Sequence, residues 1–372
     1  GIQSQGVAAT AKHFPGHGDT GSDSHLGLPV VPHDLERLEA VEFPPFRAAI
    51  DSGAKLIMSA HLALPALDGP QTPPATLSTN ILQGLLRERL GFSGVIVTDA
   101  MDMRAIRQGE FLGAEAVRAA RAGADLLLIT ADPQDQERVY RALVEAVRAG
   151  ELDPGEVRGS ADRVLSLKAW LARAPTQPDL SVVGCAEHRR VAQEIAERSI
   201  TLVRDRAGLL PLRLEPGQRV GVIIPRPQDL TPADTSSYVT PTLAAALRMF
   251  HPNVDEFVVP YAPGEADIAA IRERAGQYDL LVAGTLNASC EPGQQALVRE
   301  LLKTGVPLVV VAMRLPYDLA AFPEAPTYVC TYGILEPSMQ ALARALFGQI
   351  EMEGRLPVTI PGIAPRGYRW KE

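Results

Sequence analysis

The sequence predicts an α/β fold in two parts, parallel βα units first and a separate α/β sandwich after them. Three observations predict it. Apolar runs of strand length alternate with helical stretches, a proline-bearing segment divides the chain near its middle, and 372 residues exceed the usual single domain. The boundaries expected are residues 1–173 for the first part, 174–190 for a linker and 191–372 for the sandwich.

Four runs read as buried parallel strands: residues 7–14, 54–61, 94–101 and 123–130. Continuous apolar runs of this length, bounded by Gly and polar residues, suit strands covered on both faces. A helix is expected over 78–91. Ser78 or Thr79 caps it, Ile81, Leu82, Leu85, Leu86 and Leu90 share one face, and Gly91 ends it. Further helices fit 34–50, 111–122, 134–149 and 155–172. A full (β/α)8 barrel takes about 250 residues, so four units amount to part of one. After the linker come a helix over 186–199, strands at 200–205, 208–212, 220–225, 279–284 and 306–313, and helices near 242–249, 266–275, 293–304 and 337–347.

A formal net charge of −8, with no run of Lys or Arg, argues against a nucleic-acid or anionic-membrane partner. No apolar run approaches the roughly 20 residues needed to span a bilayer. Cys185, Cys290 and Cys330 form no CxxC pair and read as free thiols. Asn287–Ser289 fits a glycosylation triplet, a pattern common by chance. The chain opens at Gly1, already close to dense motif sequence, and is expected to be a processed or partial product. Compartment signals are therefore unread, with the cytoplasm slightly favoured. The oligomeric state is not encoded in any visible pattern.

Chemistry concentrates in residues 12–25, KHFPGHGDTGSDSH. Lys12 and His13 fall at a strand's C-terminal end, the edge that lines sites in parallel α/β folds. Gly16, Gly18 and Gly21 permit a tight or mobile loop. Asp23 precedes His25 by two residues, where its carboxylate can accept the imidazole N–H and raise the ring's basicity for acid/base work. Asp99 closes the third strand, where a carboxylate can attack an anomeric carbon. Asp102 reads as a cap, and Glu336 as a helix start. His13, His17, Asp23, His25 and His61 carry metal-binding atoms, but their spacing matches no ligand motif, so neither a metal nor an organic cofactor is expected.

Residues 12–20 with Asp23–Ser24–His25, residues 57–61 (IMSAH) and 97–101 (VTDAM) together resemble the family 3 glycoside hydrolases, in their β-N-acetylglucosaminidase branch. Residues 188–205, 208–212 and 354–361 resemble that family's C-terminal sandwich domain. The resemblance implies a barrel of the TIM type, present here from about its fifth strand, followed by the sandwich. It implies Asp99 as nucleophile, His25 as proton donor paired with Asp23, and Lys12 and His13 as sugar-binding residues; Met58 and His61 are assigned to the same surface. The activity implied is retaining, exo-acting release of terminal N-acetylglucosamine from chitin- or peptidoglycan-derived oligosaccharides, with a small carbohydrate as partner. The alternatives are a β-glucosidase or β-xylosidase, a phosphorylase of the same family, and a non-catalytic carbohydrate-binding fragment.

Overall fold

The computed structural model describes residues 1–21, 24, 27–106, 111–174, 177–231 and 233–370. They form two compact units, Gly1–Gln177 and Pro178–Glu372.

In the first unit β1 (Thr10–Phe14), β2 (Leu56–Ser59) and β3 (Val95–Val97) pair in parallel, in sequence order. Parallel neighbours require crossovers, and helical segments provide them. Between β1 and β2 lie α1 (Leu35–Arg37), a π-helical turn (Leu38–Glu42) and α2 (Pro44–Asp51). The Asp34 side chain caps α1 by accepting the Arg37 N–H at 2.9 Å. After β2 come the short α3 (Pro65–Asp68) and the helix Asn80–Arg89, which is wound with i→i+5 bonds. Its expected apolar face is buried through Ile81, Leu82, Leu85 and Leu86, and Ser78 Oγ accepts the Ile81 N–H at 3.2 Å. Gly91 follows at φ +69°, a left-handed value that favours glycine. Then come α4 (Leu112–Ala122), α5 (Pro133–Arg148) and α6 (Pro154–Leu171). Asp132–Pro133 and Asp153–Pro154 open the last two alike: the carboxylate accepts a first-turn N–H, and proline sits where none is needed.

The fourth expected strand departs from the pattern. Residues 124–128 run beside β3 and are joined to it by one parallel bridge, Val97 to Leu126. The ladder stops because the Leu128 N–H goes to the Thr98 hydroxyl at 2.9 Å rather than to a backbone carbonyl. Among the described residues this sheet has three laddered strands and does not close. Its lower end is clamped by Asp125, whose side chain is fully buried. That carboxylate accepts from Arg87 at 2.5 Å, from Arg163 at 2.8 and 2.9 Å, from Ser160 at 2.7 Å and from the Ile96 N–H at 2.8 Å. One acid thereby ties α6 to β3.

The second unit opens with α7 (Ala186–Ser199), β4 (Thr201–Asp205) and β5 (Val220–Pro225). It continues through α8 (Leu243–Arg248), β6 (Val254–Val259), α9 (Glu265–Ala275), β7 (Leu280–Thr285) and α10 (Pro292–Lys303). β8 (Leu308–Ala312), β9 (Thr327–Cys330) and α11 (Glu336–Leu346) complete it. The six-stranded sheet has the order β4-β9-β8-β7-β5-β6, with only β4 antiparallel. Every residue of β5, β7, β8 and β9 is buried, because an apolar core covers each face.

Residues 208–212, expected as a strand, are not one. The Asp205 carboxylate takes the Leu209 and Leu210 N–H groups at 3.0 and 3.1 Å, and Pro211 has none to give. β6 and β9 were not expected. β6 is an edge strand with exposed Asp255 and Glu256, and β9 has only four residues, so neither carries a long apolar run. The three cysteines are free, and no described helix is long and apolar enough to cross a membrane. Asn287 is only 8% exposed, which leaves its glycosylation triplet little access.

Candidate active site

The site is built on the C-terminal ends of β1, β2 and β3. Phe14 anchors the end of β1, fully buried and packed edge-on against Phe46 at 5.1 Å. That fixes the preceding pair: Lys12 is exposed and His13 half-buried. The chain then turns sharply, with the Gly16 N–H bonded to the His13 carbonyl at 2.9 Å. Gly16 has φ +133°, and a Cβ there would lie 2.8 Å from Cβ and Cγ of Glu42, so only glycine fits. Beyond it His17 holds the loop together. Its Nδ1 and Nε2 lie 3.1 Å from the hydroxyls of Thr20 and Ser24, and its ring meets His13 edge-on at 6.2 Å. Asp19 ties the loop outward to His33 at 2.7 Å. The expected donor pair, Asp23 and His25, lies outside the described residues.

Asp99 stands two residues beyond β3, and its segment is pinned on both sides. The Thr98 N–H bonds to the Leu126 carbonyl at 3.0 Å, and the Met101 N–H to the Leu128 carbonyl at 2.8 Å. Asp99 Oδ1 accepts the Ala100 N–H at 2.8 Å, while Oδ2 lies 3.6 Å from His13 Nε2 with the side chain 15% exposed. The carboxylate therefore stands partly exposed at a strand mouth, with Oδ2 toward His13, a placement that suits a nucleophile.

Lys12, His13 and Asp99 thus gather on one edge, and His13 meets Asp99 directly. Met58 is half-buried on β2. His61 corrects its expected sugar-binding role: it is fully buried, with Nδ1 at 2.8 Å from Thr76 Oγ1 and Nε2 at 2.9 Å from the Ala100 carbonyl. Neither ring nitrogen is left for a hydroxyl. Burial pulls the His61 pKa down, against the opposing pull of the Ala100 carbonyl and the Asp99 charge. Thr76, Ser59 and Thr98, all buried under the site, were missed; only the Ser in the MSAH string hinted at a polar layer there. Among the described residues no His, Cys, Asp and Glu group is arranged to hold a metal.

Comparison with known proteins bears on this geometry. Residues 1–167 match the Glycosyl hydrolase family 3 N terminal domain, and residues 200–366 the Glycosyl hydrolase family 3 C-terminal domain. The Beta-hexosaminidase A of Pseudoalteromonas piscicida is 30% identical over 96% of this chain and 67% of its own length. The Beta-N-acetylglucosaminidase/beta-glucosidase of Cellulomonas fimi is likewise 30% identical, over 96% of this chain and 67% of that protein. The solved glycoside hydrolase family 3 beta-N-acetylglucosaminidase from Paenibacillus sp. str. FPU-7 superposes with a TM-score of 0.88 at 38% identity, covering 96% of this chain and 68% of that one. The chain spans about two thirds of the length of these three proteins.

Proposed function

Because the chain belongs to glycosyl hydrolase family 3, we propose that it is a retaining, exo-acting β-N-acetylglucosaminidase. The observation that carries the reading is Asp99: a partly exposed strand-end carboxylate on a pinned backbone, with Oδ2 beside His13. N-acetylglucosamine is supported by the names of the solved enzyme and of the Cellulomonas fimi relative, which is also named a beta-glucosidase, and the Beta-hexosaminidase A name supports a hexosamine.

Retention requires two displacements. In the first, Asp99 attacks the anomeric carbon as the bond to the leaving oxygen breaks, and His25 gives that oxygen its proton. In the second, neutral His25 takes a proton from water, the water oxygen attacks the anomeric carbon, and the Asp99 ester bond breaks. Asp23 accepts the other His25 N–H and fixes the tautomer that can act. Lys12 and His13 hold sugar hydroxyls, and Met58 supplies an apolar wall. A histidine places less negative charge near the reaction than a second carboxylate, which leaves room for an anionic acceptor such as phosphate.

Hydrolysis of chromogenic N-acetylglucosaminide, glucoside and xyloside, each with and without phosphate, tests this. The N-acetylglucosaminide is expected to turn over fastest, releasing free sugar. Equal rates on the glucoside, or a sugar 1-phosphate as main product, contradicts the assignment.

A further inference from the structure

His61 lies one layer beneath the nucleophile, and every polar contact it makes points to a single task. The Ala100 carbonyl can only accept, so the 2.9 Å contact places the ring proton on Nε2. Nδ1 is then an acceptor, and the Thr76 hydroxyl at 2.8 Å donates to it, sharing its one proton with the Ala60 carbonyl 3.0 Å away. Ser59 Oγ stands 2.8 Å from Thr76 Oγ1 and can donate in turn. The result is a directed chain, Ser59 to Thr76 to His61 to Ala100. Thr76 belongs to a buried turn, with its N–H on the Ala60 carbonyl at 3.3 Å, so the base of this chain is itself fixed.

We infer that His61 is a positioning residue: its Nε2–H grips the carbonyl immediately after Asp99, and Ser59 and Thr76 hold it in the tautomer that can do so. The same carbonyl also takes the Met103 N–H at 3.2 Å, and the remaining restraints on this segment come from residues 126–128, through Thr98 and Met101. None of them ties residues 98–101 to β2, and any tilt of this segment shifts the Ala100 N–H that Asp99 Oδ1 accepts. His61 supplies that tie from the β2 side. Its lowered pKa, set first by burial, keeps the ring neutral and its Nε2–H tautomer uncontested by a second ring proton. A misdirected nucleophile costs rate rather than binding, because alignment matters most when the bond forms.

This inference rests on the proposed role of Asp99, and the test separates the two. His61→Leu keeps volume and removes the donor; His61→Gln restores an N–H at similar reach; Thr76→Val removes the hydroxyl that fixes the tautomer. Steady-state kinetics on the N-acetylglucosaminide is combined with amide hydrogen exchange at Ala100 and Met101. The expected result for His61→Leu is a kcat lower by about 10–100-fold with KM changed less than about 3-fold, and faster exchange confined to those two amides. Gln is expected to recover most of both effects, and Thr76→Val to fall between. A His61→Leu variant with raised KM and unchanged kcat makes His61 a sugar ligand and overturns the inference. Equal losses in Leu and Gln, with exchange faster across the whole unit, also overturn it by reducing the residue to packing. An inactive wild-type chain refutes the proposed function, while the exchange pattern still decides whether His61 pins this segment.

Discussion

Two aspartates sit near the C-terminal edges of parallel sheets in this chain, and they have opposite fates. Asp99 in the first unit keeps 15% side-chain exposure, one short backbone bond and a histidine at 3.6 Å. Asp318 in the second unit is fully buried, accepting from the Thr285 hydroxyl at 2.6 Å and the Ser289 N–H at 3.0 Å. Burial raises the Asp318 pKa, and those hydrogen bonds offset part of the rise. A strand-end carboxylate is available for chemistry only when the fold leaves it short of donors. Where the donors are supplied it becomes a structural tie. The difference lies less in the acid than in its neighbours: Thr285 and Ser289 turn toward Asp318, whereas Thr98 turns away from Asp99 to take the Leu128 N–H.

The contrast can be broken most forcefully at Asp99. Asp99→Ala is expected to reduce kcat/KM by at least about 10⁴-fold with the melting temperature nearly unchanged, since the one N–H it releases, that of Ala100, is only partly buried. Turnover and a thermal scan on the same sample check both halves. His25→Ala comes next, with a loss of about 10²–10⁴-fold and flattening of the pH–rate profile; substrates with acidic leaving groups, which need no proton, are expected to lose less. Asp318→Ala is the reverse experiment. It leaves the Thr285 hydroxyl and Ser289 N–H unsatisfied and is expected to destabilise the second unit by about 1–3 kcal/mol. Rate per folded molecule is expected to stay at the wild-type value, and amide exchange resolves which unit is affected.

The smallest expected effect sharpens the comparison through pH. His61 has a lowered folded pKa, so its contribution to the first unit is complete above the ordinary imidazole value of about 6.5 and is lost as pH falls, because the unfolded chain takes up the proton first. Asp318 has a raised folded pKa, so its contribution to the second unit is complete at low pH and is lost as pH rises past about 4. The two units are therefore expected to drift in opposite directions. Unit-resolved amide exchange across pH 4–8 measures this, with His61→Gln flattening the first trend and Asp318→Asn the second.

Much of this was legible in the sequence because the signals were local. The helix over 78–91 carried its own cap and apolar face, and Lys12, His13 and Asp99 carried their strand-end positions. What failed to show depended on side chains taking over backbone roles. Thr98 ended the ladder expected over 123–130, and Asp205 captured the N–H groups of a run that otherwise reads as strand. His61 was misread for a related reason. Its motif placed it just past the end of β2, but nothing in the string says that Thr76, fifteen residues away in sequence, occupies its second nitrogen. The loop-holding role of His17 was hidden in the same manner, since Thr20 and Ser24 look like any polar loop residues.

The central claim is that Asp99 forms a bond to sugar, and trapping that bond tests it most directly. The chain is incubated with a fluorinated N-acetylglucosaminyl donor whose second step is slow, quenched in acid, digested and analysed by mass spectrometry. The expected result is one glycosyl adduct on the peptide containing Asp99, absent from Asp99→Ala. An adduct on another carboxylate, or turnover of the donor with no adduct at any quench time, contradicts the account.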